Sequence, residues 1–181
     1  LQTRTITKKN ATSFWIIDDK TRSYREVAQH FPAPGWVEHD GEDLFQTSLE
    51  AMRDAIAQAG VEPVALGIAN QRETVLLWDR ATRNPVSPAI VWQDRRTAER
   101  CRELAASPTT VRMLRERTGL LPDPYFSATK LEWLLRDPGL RRRAERGELC
   151  AGTVDTWLIA RLTDGETFVT DPTNASRTLL F

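Results

Sequence analysis

Cysteine and histidine are scarce in this chain of 181 residues, which has two of each. Cys101 and Cys150 cannot build a framework of several disulfides, and neither is spaced like a zinc ligand. A metal site made of cysteine and histidine is therefore not expected. This low cysteine content fits a reducing, cytoplasmic setting.

Long apolar runs and an excess of one charge are also missing. No stretch approaches the roughly 18 apolar residues of a membrane span, and the polar, basic residues 1–10 lack the apolar core of a signal peptide. The 25 lysines and arginines balance the 25 acidic residues, so nothing favours binding to nucleic acid or to an anionic membrane. The chain is 40% hydrophobic and 28% charged, a composition typical of one large or two small globular domains.

Local patterns predict a mixed α/β fold with one sheet and several helices. The predicted strands are residues 13–18, 64–69, 74–78, 89–92 and 167–170, with residues 24–31 pairing with the first across a turn at 18–20. The predicted helices are residues 42–59, 95–106, 111–118, 128–136, 140–146 and 156–162.

Capping residues support two of these helices. Asp40 or Asp43 can cap the start of the helix at residues 42–59, and Gly60 can close its end. The apolar face of that helix is predicted to consist of Phe45, Leu49, Met52 and Ile56. Ser127 is a plausible N-cap for the helix at residues 128–136.

Arg72 and Glu73 follow the apolar residues 64–69, which are typical of a strand that is buried on both faces. In α/β sheets, ligands bind at the carboxyl ends of strands. An adjacent arginine and glutamate supply donors and acceptors together, which suits hydroxyl groups because each hydroxyl donates and accepts. An exposed ion pair is the alternative interpretation of these two residues.

Two aromatic residues accompany them. Trp92 ends an apolar strand, and Tyr125 lies in a loop just before a helix. The Tyr125 side chain can pack on carbon atoms of a ligand and still form a hydrogen bond through its phenolic hydroxyl. Core packing for Trp92 and a loop anchor for Tyr125 are equally compatible with the local pattern.

Longer segments connect these residues to a known family. The matching segments, in chain order, are Pro34-Gly35-Trp36-Val37-Glu38-His39-Asp40, Asn70-Gln71-Arg72-Glu73-Thr74, Ala89-Ile90-Val91-Trp92-Gln93, Asp123-Pro124-Tyr125-Phe126-Ser127, Gly152-Thr153-Val154-Asp155-Thr156-Trp157-Leu158 and Thr173-Asn174-Ala175-Ser176-Arg177-Thr178. From about residue 24 to residue 181, the chain resembles the FGGY family of carbohydrate kinases, and in particular its members that phosphorylate glycerol.

The resemblance implies a ribonuclease H-like fold, also called the actin-like ATPase fold, as the N-terminal half of a two-domain kinase. It also implies roles for four residues. Arg72 and Glu73 would hydrogen-bond the hydroxyls of glycerol, Trp92 would pack on its carbon backbone, and Tyr125 would contribute its phenolic hydroxyl. Residues 13–181 would form the polyol-binding domain, and residues 1–12 a divergent or disordered segment.

The resemblance further implies ATP and Mg²⁺ as cofactors of the complete enzyme. The glycine-rich phosphate loop of the family is not recognisable in residues 1–13, where Lys8 and Lys9 fit a solvated end better than a phosphate site. The catalytic base and the adenine-binding domain of the family lie beyond the position of Phe181. Asp94 and Asp155 fall in matching segments, but helix capping is the favoured interpretation of both.

The expected function is therefore glycerol binding within a glycerol-phosphorylating enzyme, with this chain alone inactive. The expected partners are glycerol or a similar small polyol and a C-terminal ATPase-like domain. Association into homo-oligomers is also expected, because a domain without its neighbour exposes apolar surface. Two alternatives stay open, namely a kinase for another polyol or sugar and a non-catalytic polyol-binding module.

Overall fold

The computed structural model describes residues 11–16 and 21–181, with side chains from residue 21 onward. The turn predicted at residues 18–20 and the segment 1–10 lie outside the described residues.

The described strands form two sheets, in which every pair is antiparallel. Strands β1 (Ala11–Ile16) and β2 (Arg22–Val27) make a two-stranded sheet. The second sheet has the order β3-β5-β4-β6, built from β3 (Glu38–His39), β4 (Val75–Asp79), β5 (Ala89–Ile90) and β6 (Leu149–Thr153). The mixed α/β class is confirmed, whereas the prediction of a single sheet is wrong and β6 was not anticipated.

Seven helices are described. They are α1 (Gly41–Ala59), α2 (Ala98–Ala105), α3 (Pro108–Thr118), α4 (Ser127–Leu134), α5 (Pro138–Glu145), α6 (Val154–Leu162) and α7 (Pro172–Ala175). All six predicted helices are confirmed, with bounds that differ by a few residues at most ends. The four-residue α7 is too short for a periodic pattern to reveal it.

Helix α1 begins and ends as predicted, but its buried face differs from the predicted one. The Asp40 carboxylate accepts hydrogen bonds from the backbone N–H groups of two first-turn residues, and Gly60 closes the helix at φ 65°. The buried face contains Leu44, Phe45, Ser48, Ala51 and Ala55. Alanines let α1 lie close against β1 and β2.

The core lies between α1, the four-stranded sheet and α6. Residues 75–78 of β4 are all buried. The ring centroids of Trp78 and Trp157 are 5.2 Å apart, and Trp157 Nε1 donates a 2.8 Å hydrogen bond to the carbonyl of Gly41. This contact joins α6 to the start of α1 through a buried and satisfied indole.

The strand predicted at residues 64–69 does not form. The segment between α1 and β4 is extended without strand pairing, Val64 is fully exposed, and Leu66 is 48% exposed. A strand needs a neighbour to receive its backbone hydrogen bonds, and no described strand lies beside this segment. Residues 167–170, also predicted as a strand, are likewise unpaired, with Phe168 and Val169 half exposed.

The cap of α1 provides a test of the fold. Asp40→Ala removes the acceptor of two backbone N–H groups, so we expect the free energy of unfolding to fall by about 0.5–2 kcal/mol. Urea denaturation followed by circular dichroism measures this change. The matched control is Asp43→Ala, an exposed acidic residue in the same turn, for which we expect a loss of about 0.5 kcal/mol or less. Equal losses for both variants would contradict the capping role.

Candidate functional site

Arg72 and Glu73 lie in the turn that leads into β4, and not at the end of a strand as predicted. The backbone N–H of Thr74 closes this turn by donating to the carbonyl of Gln71 at 3.3 Å. Arg72 is exposed and makes no hydrogen bond or ion pair with another described residue. Glu73 is only 3% exposed. The two neighbours therefore do not form the ion pair that was the alternative interpretation.

Glu73 is held through both its backbone and its side chain. Its carbonyl accepts hydrogen bonds from Ser127 Oγ at 3.1 Å and from Lys130 Nζ at 3.4 Å. Its carboxylate oxygen Oε1 accepts a hydrogen bond from Arg177 Nε at 2.8 Å. A buried carboxylate needs a countercharge and hydrogen-bond donors, and Arg177 supplies both.

Trp92 and Tyr125 come together beside this turn. Their ring centroids are 5.5 Å apart with the planes inclined at 60°. The backbone N–H of Trp92 donates to Thr74 Oγ1 at 3.2 Å, which ties the tryptophan to the residue after Glu73. Trp92 is 37% exposed and Tyr125 is partly exposed. The two rings thus present an accessible aromatic surface next to a buried carboxylate.

Arg177 also belongs to this group of side chains. Its guanidinium carbon lies 5.4 Å from the centroid of the Tyr125 ring and 4.9 Å from that of Phe126. The carboxylate of Glu73 raises the pKa of Arg177 further through their hydrogen bond. The only signal in the sequence was its position in the matching segment at residues 173–178.

Lys130 lies beneath the site and is fully buried. Its ammonium donates to the carbonyl of Tyr125 at 2.8 Å and to that of Glu73 at 3.4 Å. Burial lowers the pKa of Lys130 to about 8, and the charges of Asp94 and Glu73 oppose part of that shift. Ser127, predicted as the N-cap of α4, is instead the first residue of the helix, and Phe126 occupies the cap position.

Asp94 and Asp155 are not the helix caps that the sequence suggested. Asp94 is fully buried and accepts hydrogen bonds from the Val37 N–H at 2.6 Å and from the backbone and guanidinium of Arg96. Asp155 lies in the first turn of α6 and accepts from the hydroxyls of Thr153 and Thr170. The carboxylate oxygens of both residues already accept hydrogen bonds from within the protein. Neither carboxylate is therefore available as a substitute catalytic base.

Arg96 lies close to two tryptophans, whose ring centroids are 5.1 Å apart with the planes inclined at 85°. Its guanidinium carbon lies 3.9 Å from the ring centroid of Trp36 and 4.7 Å from that of Trp133. The same guanidinium bonds to Glu38 at 2.7 Å. This cluster fixes the segment before α2 and so positions the chain just after Trp92.

A cavity of about 350 Å³ lies between β6, α4 and the last residues of the chain. Its lining includes Val75, Leu131, Phe168, Val169 and Leu180 and is mostly apolar. None of the four predicted site residues lines it. The candidate site therefore lies outside this cavity, where the partly exposed rings of Trp92 and Tyr125 adjoin the buried Glu73.

Within residues 11–16 and 21–181, no group of three or more His, Cys, Asp or Glu side chains could hold a metal ion. No helix in the described part of the chain is long and apolar enough to cross a membrane.

Comparison with known proteins gives a consistent match. The model of the FGGY family of carbohydrate kinases, N-terminal domain, matches residues 18–181. Glycerol kinases of Thermus brockianus and Bordetella parapertussis are 61% and 58% identical to the chain over 161 residues, which is 87% of this chain and 32% of each relative. The chain thus spans about a third of the length of these curated relatives.

Solved structures agree with the sequence matches. The crystal structure of Plasmodium falciparum glycerol kinase with ADP matches with a TM-score of 0.84 and 37% identity, over 88% of this chain and 32% of that chain. A xylulose kinase from Lactobacillus acidophilus matches with a TM-score of 0.76 at 18% identity, over 88% of this chain and 31% of that chain, a likeness of fold. The fold is that of the actin-like ATPases, as predicted.

These matches cover far more than half of the residues. The chain belongs to the FGGY family of carbohydrate kinases and carries its N-terminal domain. Among the curated relatives that it matches, those at 53–61% identity are glycerol kinases.

The buried Lys130 should make the folding stability of the chain depend on pH. In the unfolded chain a lysine titrates near pH 10.4, whereas burial lowers the pKa of Lys130 to about 8 in the folded chain. Between these values the unfolded state binds more protons, so folding stability should rise with pH across this window, by up to about 3 kcal/mol.

Lys130→Met should abolish that rise. The measurement is the free energy of unfolding at pH 7.5, 8.5 and 9.5 for the native chain and for the variant. Lys130→Gln serves as a second neutral replacement. A rise of equal size in the native chain and in both variants would assign it to other groups.

Proposed function

We propose that residues 13–181 form the polyol-binding N-terminal domain of an ATP-dependent glycerol kinase. The complete enzyme would transfer the γ-phosphate of ATP to glycerol and release glycerol 3-phosphate and ADP. The observation that carries this proposal is that Glu73, Trp92 and Tyr125, three of the four residues expected to bind glycerol, come together, with the partly exposed aromatic rings beside the buried carboxylate.

The chemistry of the group fits a small polyol. The carboxylate of Glu73 accepts hydrogen bonds from hydroxyls, and the guanidinium of Arg72 donates to them. Arg72 has no described partner, so its donors are available to a ligand. The ring of Trp92 can cover the C–H face of the polyol, and the phenol of Tyr125 can add a further hydrogen bond.

The cofactor and the partners follow from the family. Glycerol kinases are ATP-dependent, and we assign ATP and Mg²⁺ to the complete enzyme, with their binding groups outside the described residues. The chain spans about a third of its relatives, so the principal partner would be the remaining, C-terminal domain. A cytoplasmic location and self-association belong to the same proposal. Exposed apolar side chains such as Val61, Val64, Leu180 and Phe181 support self-association.

Glycerol binding by the chain itself tests the site. The reporter is the indole N–H resonance of Trp92 in the ¹⁵N-labelled protein, identified by its loss in Trp92→Phe. We expect glycerol to shift this resonance. Arg72→Ala and Glu73→Ala should each weaken binding about tenfold or more, because each removes a charge-assisted hydrogen bond worth about 1.5–3 kcal/mol.

The matched control for Arg72 is Arg112→Ala, since Arg112 is an exposed arginine on α3 far along the chain. This variant should bind glycerol like the native chain. Unchanged binding in both Arg72→Ala and Glu73→Ala would refute the site. Stronger binding of a larger sugar such as xylulose would favour a kinase for that substrate.

Measuring glycerol-dependent ADP production tests whether this domain is catalytically active without the rest of the enzyme. The 181-residue chain alone should produce no glycerol-dependent ADP, because the reaction also needs groups that hold and activate ATP. A chimera in which the 161 matched residues of the Thermus brockianus glycerol kinase are replaced by those of this chain, and which keeps that enzyme's own remaining residues, should produce ADP when glycerol is present. Turnover by the isolated chain would overturn the assignment of the nucleotide site to another part of the enzyme. An inactive but folded chimera that binds glycerol would favour a non-catalytic module.

A further inference from the structure

We propose that Arg177 is a positioning residue of the polyol site, which orients the carboxylate of Glu73 and leaves one of its oxygens to the ligand. This inference rests on the proposed function and adds to it a fifth residue and the hydrogen-bonding character of the ligand.

The two oxygens of the Glu73 carboxylate differ in their hydrogen bonding. Oε1 accepts the hydrogen bond from Arg177 Nε at 2.8 Å, and no other described group bonds to the carboxylate. Oε2 has no described hydrogen-bond partner and is not among the buried polar atoms left without one. The side chain of Glu73 as a whole is only 4% exposed. Oε2 is therefore the one oxygen of this carboxylate to which no described group is bonded.

Arg177 links the carboxylate of Glu73 to the aromatic part of the site. The guanidinium of Arg177 lies over the rings of Tyr125 and Phe126, with centroid distances of 5.4 and 4.9 Å. A cation held over aromatic rings that also donates a directed N–H bond from a rigid guanidinium is a property of arginine that lysine does not share. Arg177 thus fixes the carboxylate relative to the ring that is expected to contact the same ligand.

Arg177 is itself held in place by backbone hydrogen bonds on either side of it. Its backbone N–H donates to the carbonyl of Asn174 at 3.0 Å, and the carbonyl of the next residue, Thr178, accepts from the Ala128 N–H of α4 at 2.8 Å. Asp171 caps the short α7 that precedes it. A group anchored on both sides loses little conformational entropy when the ligand binds.

The ligand chemistry follows from Oε2. A carboxylate oxygen only accepts hydrogen bonds, so the ligand group placed there must donate one. A neutral hydroxyl meets this requirement, whereas a carboxylate or phosphate would meet like charge. With Arg72 offering donors nearby in the chain, two adjacent hydroxyls of one ligand suit the pair, one donating to Glu73 and one accepting from Arg72.

A double-mutant cycle on the 181-residue chain tests this role. Glycerol affinity is measured through the Trp92 resonance for Arg177→Gln, for Glu73→Gln and for the double variant. We expect Arg177→Gln alone to weaken binding about tenfold. In the background of Glu73→Gln, the same substitution should have almost no further effect, because Arg177 acts through Glu73. Arg177→Lys, which keeps the charge but not the planar fork, should fall between the native chain and Arg177→Gln.

Arg161→Gln is the matched structural control. Arg161 also pairs with a carboxylate, that of Glu42, and also lies over two aromatic rings, those of Phe45 and Trp157. Its loss should lower thermal stability without changing glycerol affinity. All affinities are compared below the melting temperature of the least stable variant, and Arg177→Lys carries the test if Arg177→Gln does not fold.

The outcomes separate the two proposals. If the native chain does not bind glycerol, the proposed function fails. If the native chain binds but Arg177→Gln binds equally well, or if its effect persists unchanged in the Glu73→Gln background, the role of Arg177 fails and the glycerol site stands.

Discussion

The buried Glu73 is the constraint on which the candidate site depends. Its carbonyl and its carboxylate receive donors from two separate parts of the chain, α4 and the segment after α7. Removing a carboxylate from water is costly unless charge and hydrogen bonds are returned to it. Arg177 supplies both to the carboxylate, whereas Lys130 bonds to the backbone carbonyls of Glu73 and Tyr125 and so holds these two residues together. The geometry of the site therefore follows from the need to compensate the burial of the Glu73 carboxylate.

Helices were predictable from the sequence because their signals are local. Asp40 and Gly60 terminate α1 through bonds within a few residues of themselves, and periodicity located the other long helices. Strands were harder, since a strand exists only with a neighbour. The apolar residues 64–69 look like a buried strand in isolation, yet no described strand pairs with them. The buried face of α1 was predicted only in part, through Phe45 and Leu49, because the strands that the helix packs against determine it.

Some residues of the candidate site could likewise be predicted from the sequence, and others could not. Arg72, Glu73, Trp92 and Tyr125 were found through matching segments, and the structure brings three of them into one group. Lys130 and Arg177 carry no local signal, because their roles arise from partners 57 and 104 residues away. A lysine in a helix or an arginine near a short turn is ordinary in sequence. Only the tertiary contacts distinguish them.

The long separation between Glu73 and Arg177 has a kinetic consequence. Their bond closes a loop of 104 residues, which includes β4, β5, β6 and most of the helices. Closing so long a loop has an entropic cost that only the completed core can offset. The site is thus among the last features to assemble when the chain folds, and a ribosome must release nearly the whole domain before Glu73 acquires its countercharge.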